Sequence, residues 1–177
     1  MRTGDLLFRR GAAADGRAML RALVAELAAV APEDVRIAAR CPDCGGEHGR
    51  PVVMAPDAAT EVRVSLAHSR DITVAAALVG GSVGVDAEQR TPGEGTAMTD
   101  AGDSAPAPRT ADELRQWTRI EAVLKADGRG LRVDPATVVF EQTDDLLLAA
   151  VPGDPRRYLV RDAHLGDDLF VTVALER

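Results

Sequence analysis

Lysine occurs once in this chain, at Lys125, against 20 arginines. Aromatic residues make up 3% of it, with a single Trp, a single Tyr and three Phe. Large rings therefore cannot fill the interior, which must be built from Ala, Val, Leu and Ile. Two cysteines exclude a disulfide-dense scaffold. No apolar run approaches the roughly 20 residues of a membrane helix. The start, Met1-Arg2-Thr3-Gly4-Asp5, lacks the apolar region of a signal peptide, so a cytoplasmic location is expected. No basic run is present and the net charge is -7, which argues against nucleic acid as a partner.

What is present is ordinary for a globular chain: 177 residues, 46% hydrophobic and 28% charged. That is enough for one domain with a real core or for two small lobes. Met19, Leu20, Leu23, Val24 and Leu27 fall at helical spacing within 15–30, with Asp15 as N-cap and Pro32 as stop. Strands are predicted over 62–66, 72–79 and 82–88, and Gly80-Gly81 between two apolar runs is a hairpin signal. Residues 91–109 are rich in Gly, Pro, Ala, Thr and Asp and read as a flexible linker. Thr110-Ala111-Asp112-Glu113 fits a capping box opening a helix over 111–127, with Gly128 ending it. Further strands are predicted at 137–141, 145–151, 157–162 and 169–175. The order helix-then-strands occurs twice. The expected class is α+β, a single unit 1–177 of two pseudo-symmetric halves, 1–90 and 110–177, each a helix with an antiparallel sheet.

Four segments could carry chemistry. In Gly84-Val85-Asp86-Ala87-Glu88, residues i and i+2 of a strand share a face, so Asp86 and Glu88 present paired carboxylates. Two like charges that close call for a cation, and magnesium suits few carboxylates plus water and substrate phosphate. The plain alternative is a solvated strand end. Trp117, Glu121 and Lys125 lie four apart on one helix face. Glu121 and Lys125 also have the spacing of an ordinary surface ion pair. His68 in Ser65-Leu66-Ala67-His68-Ser69 closes a strand, where it is either structural or a phosphate contact. Cys41-Pro42-Asp43-Cys44, followed by His48, has the look of a zinc knuckle that His68 or His164 would complete. Two free thiols in a Gly-rich turn is the competing reading, and the preferred one.

In this order the segments His48-Gly49-Arg50-Pro51, Ala67-His68-Ser69, Gly84-Val85-Asp86-Ala87-Glu88 and Trp117 to Leu131 resemble the Sfp-type 4′-phosphopantetheinyl transferase family. The family pattern runs basic-Gly-Lys-Pro, Ser-His-Ser, Gly-(Ile/Val)-Asp-x-Glu and Trp-x-x-(Lys)-Glu-Ala-x-x-Lys-x-x-Gly-x-Gly. The Cys-Pro-x-Cys-Gly turn also looks like that of many actinobacterial members. The resemblance covers roughly residues 9–175. It implies a magnesium-dependent enzyme that moves the phosphopantetheine arm of coenzyme A onto a serine of an acyl or peptidyl carrier protein. By the same resemblance Asp86, Glu88 and Glu121 would hold the metal, and Glu121 would also help deprotonate the serine. Lys125 would meet the transferring phosphate. Arg17, Arg50 and His68 would meet the nucleotide end of coenzyme A.

The implied fold is two α+β halves with coenzyme A in the cleft between them, complete in a monomer. This chain departs from the pattern at Ala67 and Ile120, which replace a Ser and a frequent Lys, and at 91–109, where a Phe-rich carrier-docking segment is usual. Docking would then fall to a local basic patch of Arg9, Arg10, Arg115 and Arg119. A coenzyme A-binding member without transfer activity, or a small zinc-binding module, is the alternative.

Overall fold

A computed structural model describes residues 6–41, 43–90 and 110–177. The linker expected at 91–109 lies outside the described residues. Strands β1 (Leu6–Ala12), β4 (Val62–Ser69) and β5 (Ile72–Val79) form one antiparallel sheet, ordered β1-β5-β4. Strands β6 (Val83–Gln89), β7 (Val139–Thr143), β8 (Leu146–Ala150), β9 (Tyr158–Ala163) and β10 (Leu169–Glu176) form a second, ordered β6-β10-β9-β8-β7. A small hairpin pairs β2 (Arg36–Ala39) with β3 (Pro51–Ala55). Helices α1 (Gly16–Ala28) and α2 (Ala111–Asp127) complete a mixed α+β architecture. No helix among the described residues is long and apolar enough to cross a membrane.

The layers follow from the period of two in the strands. On β5, Ile72, Val74, Ala76 and Leu78 face the second sheet, against Val83, Val85 and Ala87 of β6 and Val171 and Val173 of β10. The alternate residues Ala75 and Ala77 face α1, against Leu20, Leu23 and Val24. On the far side of the second sheet, Ala122, Val123, Leu124 and Ala126 of α2 pack on Ala149, Val160 and Ala174. The order is helix, sheet, sheet, helix. With so few rings, the interior is small aliphatic side chains at close approach. Gly84 is the extreme case: a Cβ there would sit 1.9 Å from the carbonyl oxygen of Ala122 and 2.4 Å from the nitrogen of Ala126.

Gly80-Gly81 does not make a β5–β6 hairpin. Both glycines take positive φ, +67° and +79°, and turn the chain. However, β5 already has β1 on one edge and β4 on the other, so no edge is left to pair. The chain crosses to the second sheet, where β6 pairs with β10. The boundary between sheets thus falls at Gly80-Gly81, and the strand at 83–89 belongs with the C-terminal elements. Asp15 is not a side-chain cap either. A 3-10 turn at Ala13–Asp15 leads into α1 and leaves Asp15 in helical backbone, whereas capping needs an extended residue. Helix α1 ends before Pro32, at Ala29 in the left-handed region (φ 53°). Helix α2 has the predicted bounds, with Thr110 Oγ1 accepting from the Glu113 N–H at 3.2 Å and Gly128 at φ +92°.

The two sheets also meet at their edges. β6 runs parallel to β4, and two hydroxyls replace a ladder between them. The Val85 N–H donates to Ser65 Oγ and the Gln89 N–H to Ser69 Oγ, both at 3.0 Å. Ser65→Ala is therefore expected to cost about 1.5 kcal/mol, the typical penalty of a buried donor left unmade. Urea denaturation checks this, and an unchanged midpoint and slope would show that the hydroxyl bridge does not hold the edges together.

Candidate functional site

Strand alternation sends Val85 and Ala87 into the inter-sheet core and turns Gly84, Asp86 and Glu88 towards α2. Gly84 lets α2 lie directly on the strand. That close approach sets the α2 stripe of Glu121 and Lys125 over the two carboxylates. Asp86 and Glu88 are 6% and 7% exposed. Lys125 Nζ donates to Asp86 Oδ1 at 2.6 Å, with its side chain 30% exposed. The other oxygen, Asp86 Oδ2, is buried and finds no hydrogen-bond partner among the described residues. Ser69 Oγ donates to Glu88 Oε2 at 3.1 Å.

Three carboxyl groups thus face one ammonium, and the proton affinities show the imbalance. Burial, and then the neighbouring Asp86, push the Glu88 carboxyl up to about 7, with Ser69 and Lys125 opposing and Glu121 adding to the rise. Glu121 is raised by burial and by Asp86, against Lys125. Burial raises Asp86, with Lys125 opposing. Burial works against the Lys125 ammonium, but Asp86, Glu121 and Glu88 together hold its pKa above the ordinary value. His68 is lowered, by burial and then by the charge on Lys125. The surplus of carboxyl groups and the orphaned Asp86 oxygen fit a divalent cation. The three carboxylates do not, however, bring oxygens all within 4.8 Å of one another. A metal here would be bound by one or two of them directly, with water filling the rest, as magnesium prefers.

His68 reaches the opposite side of the same region. Its Nδ1 is 2.6 Å from Thr73 Oγ1, and its ring lines a cavity of about 570 Å³ with Arg17, Leu66, Glu47, His48 and the start of α1 at Gly16. Arg17 is exposed and pairs with Glu47 at 3.3 Å. Arg50 does not join them. Its backbone neighbours Gly49 and Pro51 line that cavity, but its own side chain turns away into a separate one of about 280 Å³ with Arg63 and Ser82. There it lies against Gly128 and beside Arg156 and Arg63, which, after burial, lower its pKa.

The basic patch expected for docking is neutralised. Arg9 pairs with Glu26, Arg10 makes bidentate contacts to Asp168 and Arg119 to Asp162, and Arg115 pairs with Asp112. Sequence reasoning missed Ser69 as the group orienting Glu88. The bridging role needed the β4–β6 juxtaposition. Trp117 is half-buried on the face shared with Glu121 and Lys125. No family model matches this chain, and no curated protein matches it.

Proposed function

We propose that the protein transfers the 4′-phosphopantetheine arm from coenzyme A to a serine of an acyl or peptidyl carrier protein and releases 3′,5′-ADP. The observation that carries this reading is the gathering of Asp86, Glu88, Glu121 and Lys125, from two separate elements, into one electrostatic cluster beside His68. The helix–sheet–sheet–helix order agrees with the two-halved fold that the motifs imply. The cavity lined by Arg17, His68 and the N-terminus of α1 suits an anionic nucleotide end. His68, which lines that cavity, has its pKa lowered by burial and then by the charge on Lys125.

The residues divide the work as phosphoryl transfer requires, by position and charge. Asp86, Glu88 and Glu121 would hold magnesium, which when bound supplies charge neutralisation to the pyrophosphate. The Lys125 ammonium, kept protonated by its neighbours, donates to a phosphate oxygen. Glu121, on the same face as Lys125, accepts the proton of the attacking serine hydroxyl. The serine oxygen forms its bond to the β-phosphorus as the bond to the bridging oxygen breaks, and that oxygen leaves with 3′,5′-ADP. The expected result with coenzyme A, magnesium and a panel of apo-carriers from fatty-acid, polyketide and nonribosomal peptide systems is a gain of one phosphopantetheine in mass on at least one carrier. Binding of coenzyme A with no gain on any carrier would favour a coenzyme A-binding protein instead. The paired arginines at the expected docking face are the observation on that side.

A further inference from the structure

The hairpin of β2 and β3 ends in a tip whose side chains the transfer chemistry does not use. Cys41 Sγ, Cys44 Sγ and His48 Nε2 all lie within 4.8 Å of one another, and Cys44 Sγ is 2.9 Å from His48 Nε2. We propose that these three atoms hold a zinc ion, with water in the fourth position.

The tip is shaped for it by its backbone. The Cys41 N–H donates to the Gly46 carbonyl and the Gly45 N–H to the Cys41 carbonyl, each at 2.8 Å, which closes the turn without help from side chains. The Gly46 N–H points at Cys44 Sγ, 3.4 Å away, as amides do towards a sulfur that carries charge. Gly46 sits tight against the donors. A Cβ there would lie 3.0 Å from the His48 ring and 3.3 Å from Cys44 Sγ. At Gly49 a Cβ would collide with the Arg40 carbonyl oxygen at 2.0 Å. The loop is thus drawn in on the three donors, and Gly49 is needed for that closure.

The donor set selects the metal. Two thiolates and an imidazole are soft and borderline ligands, suited to zinc and unsuited to magnesium or calcium. Tetrahedral zinc bonds set ligand atoms about 3.3–3.8 Å apart, so small side-chain rotations bring the three donors into place. Neither His68 nor His164 completes the set among the described residues. Three protein ligands leave one position open to water. The same turn carries Glu47, His48 and Gly49 into the wall of the cavity that Arg17 and His68 line. Zinc therefore sets the shape of that wall, whatever the cavity binds.

The test uses the full chain, reduced, stripped of metal by a chelator and titrated with cobalt(II). One cobalt per chain is expected, with a thiolate-to-cobalt charge-transfer band and the intense visible bands of a tetrahedral site, both lost on adding one equivalent of zinc. Cys44→Ser is expected to weaken cobalt binding by at least about 100-fold, while His164→Ala binds like the wild type. Circular dichroism of Cys44→Ser is expected to be unchanged, because the tip lies outside the three packed cores. Cobalt held by Asp86, Glu88 and Glu121 instead would give weak octahedral bands with no thiolate band, and that result overturns the proposal. So would a Cys44→Ser variant that keeps the thiolate band and the affinity, or a mass showing that the two cysteines form a disulfide in the reduced preparation.

Discussion

In chelated buffer the Glu88→Gln variant is expected to be more stable than the wild type by about 3 kcal/mol above neutral pH, and equal to it near pH 4. The Glu88 carboxyl titrates near 7 in the folded chain against an ordinary value of 4.5. The folded state therefore holds this proton more tightly than the unfolded state does. Below the ordinary value both states are protonated and nothing is lost. As pH rises towards 7 the unfolded chain releases the proton while the folded chain retains it, and stability falls. Above 7 the loss is complete. Asp86 and Glu121 are shifted in the same direction and add to the slope. His68, shifted downwards, works against it as pH falls through the ordinary histidine value. Lys125, shifted upwards, contributes no slope until strongly alkaline pH.

Glutamine keeps an oxygen for the Ser69 hydroxyl and removes the titration. Urea melts of both proteins from about pH 4 to about pH 8 read the difference. Parallel curves would mean that Glu88 is ordinary and that the cluster is not short of positive charge. Added magnesium should reverse the order at alkaline pH, because it stabilises the ionised carboxylates of the wild type and has less to bind in the variant.

Lys125→Met is expected to lower the turnover of transfer about 1000-fold, the loss typical of removing a preorganised donor from developing charge. Under the proposed transfer, coenzyme A affinity should change far less, because its nucleotide end would occupy the cavity of Arg17 and His68. The methionine keeps the apolar stem and removes the ammonium. That removes the Lys125 partner of Asp86 Oδ1, where Oδ2 already lacks one. A stability loss of about 3 kcal/mol is expected at neutral pH, the lower end for breaking a buried ion pair, since the Lys125 side chain is partly exposed. Lys125→Arg restores charge without the compact ammonium, and should recover the stability but not the turnover. Turnover of Lys125→Met within a few-fold of the wild type would remove the lysine from the chemistry and leave it as Asp86's counter-ion.

The second half of the chain was the more legible. The capping box and Gly128 mark α2 at both ends, and the four strands predicted after it are all present. The strand predicted from 137 starts at Val139, because a 3-10 turn capped by Asp134 takes the residues before it. The N-terminal strand β1 was not read. Phe8, Arg9 and Arg10 are all exposed on it, so no period of two survives. β2 and β3 were missed for a different reason: at four and five residues they are too short for a pattern to show. For the site, the i, i+4 spacing placed Glu121 and Lys125 on one helix face, and the i, i+2 spacing placed Asp86 and Glu88 on one strand face. Neither spacing could say that the two faces meet.

Local order alone determined which residues share a face, where α2 begins and ends, and which donors crowd the β2–β3 tip, because these depend on backbone period and on contacts a few residues long. The tertiary structure alone decided that β6 leaves its neighbour β5 for β10, that Gly84 admits α2 onto the strand, and that Arg50 faces away from His68. The reason is the same in each case. An edge already occupied, or a surface with no Cβ on it, is a property of distant chain segments packed together, and no stretch of residues carries that information by itself.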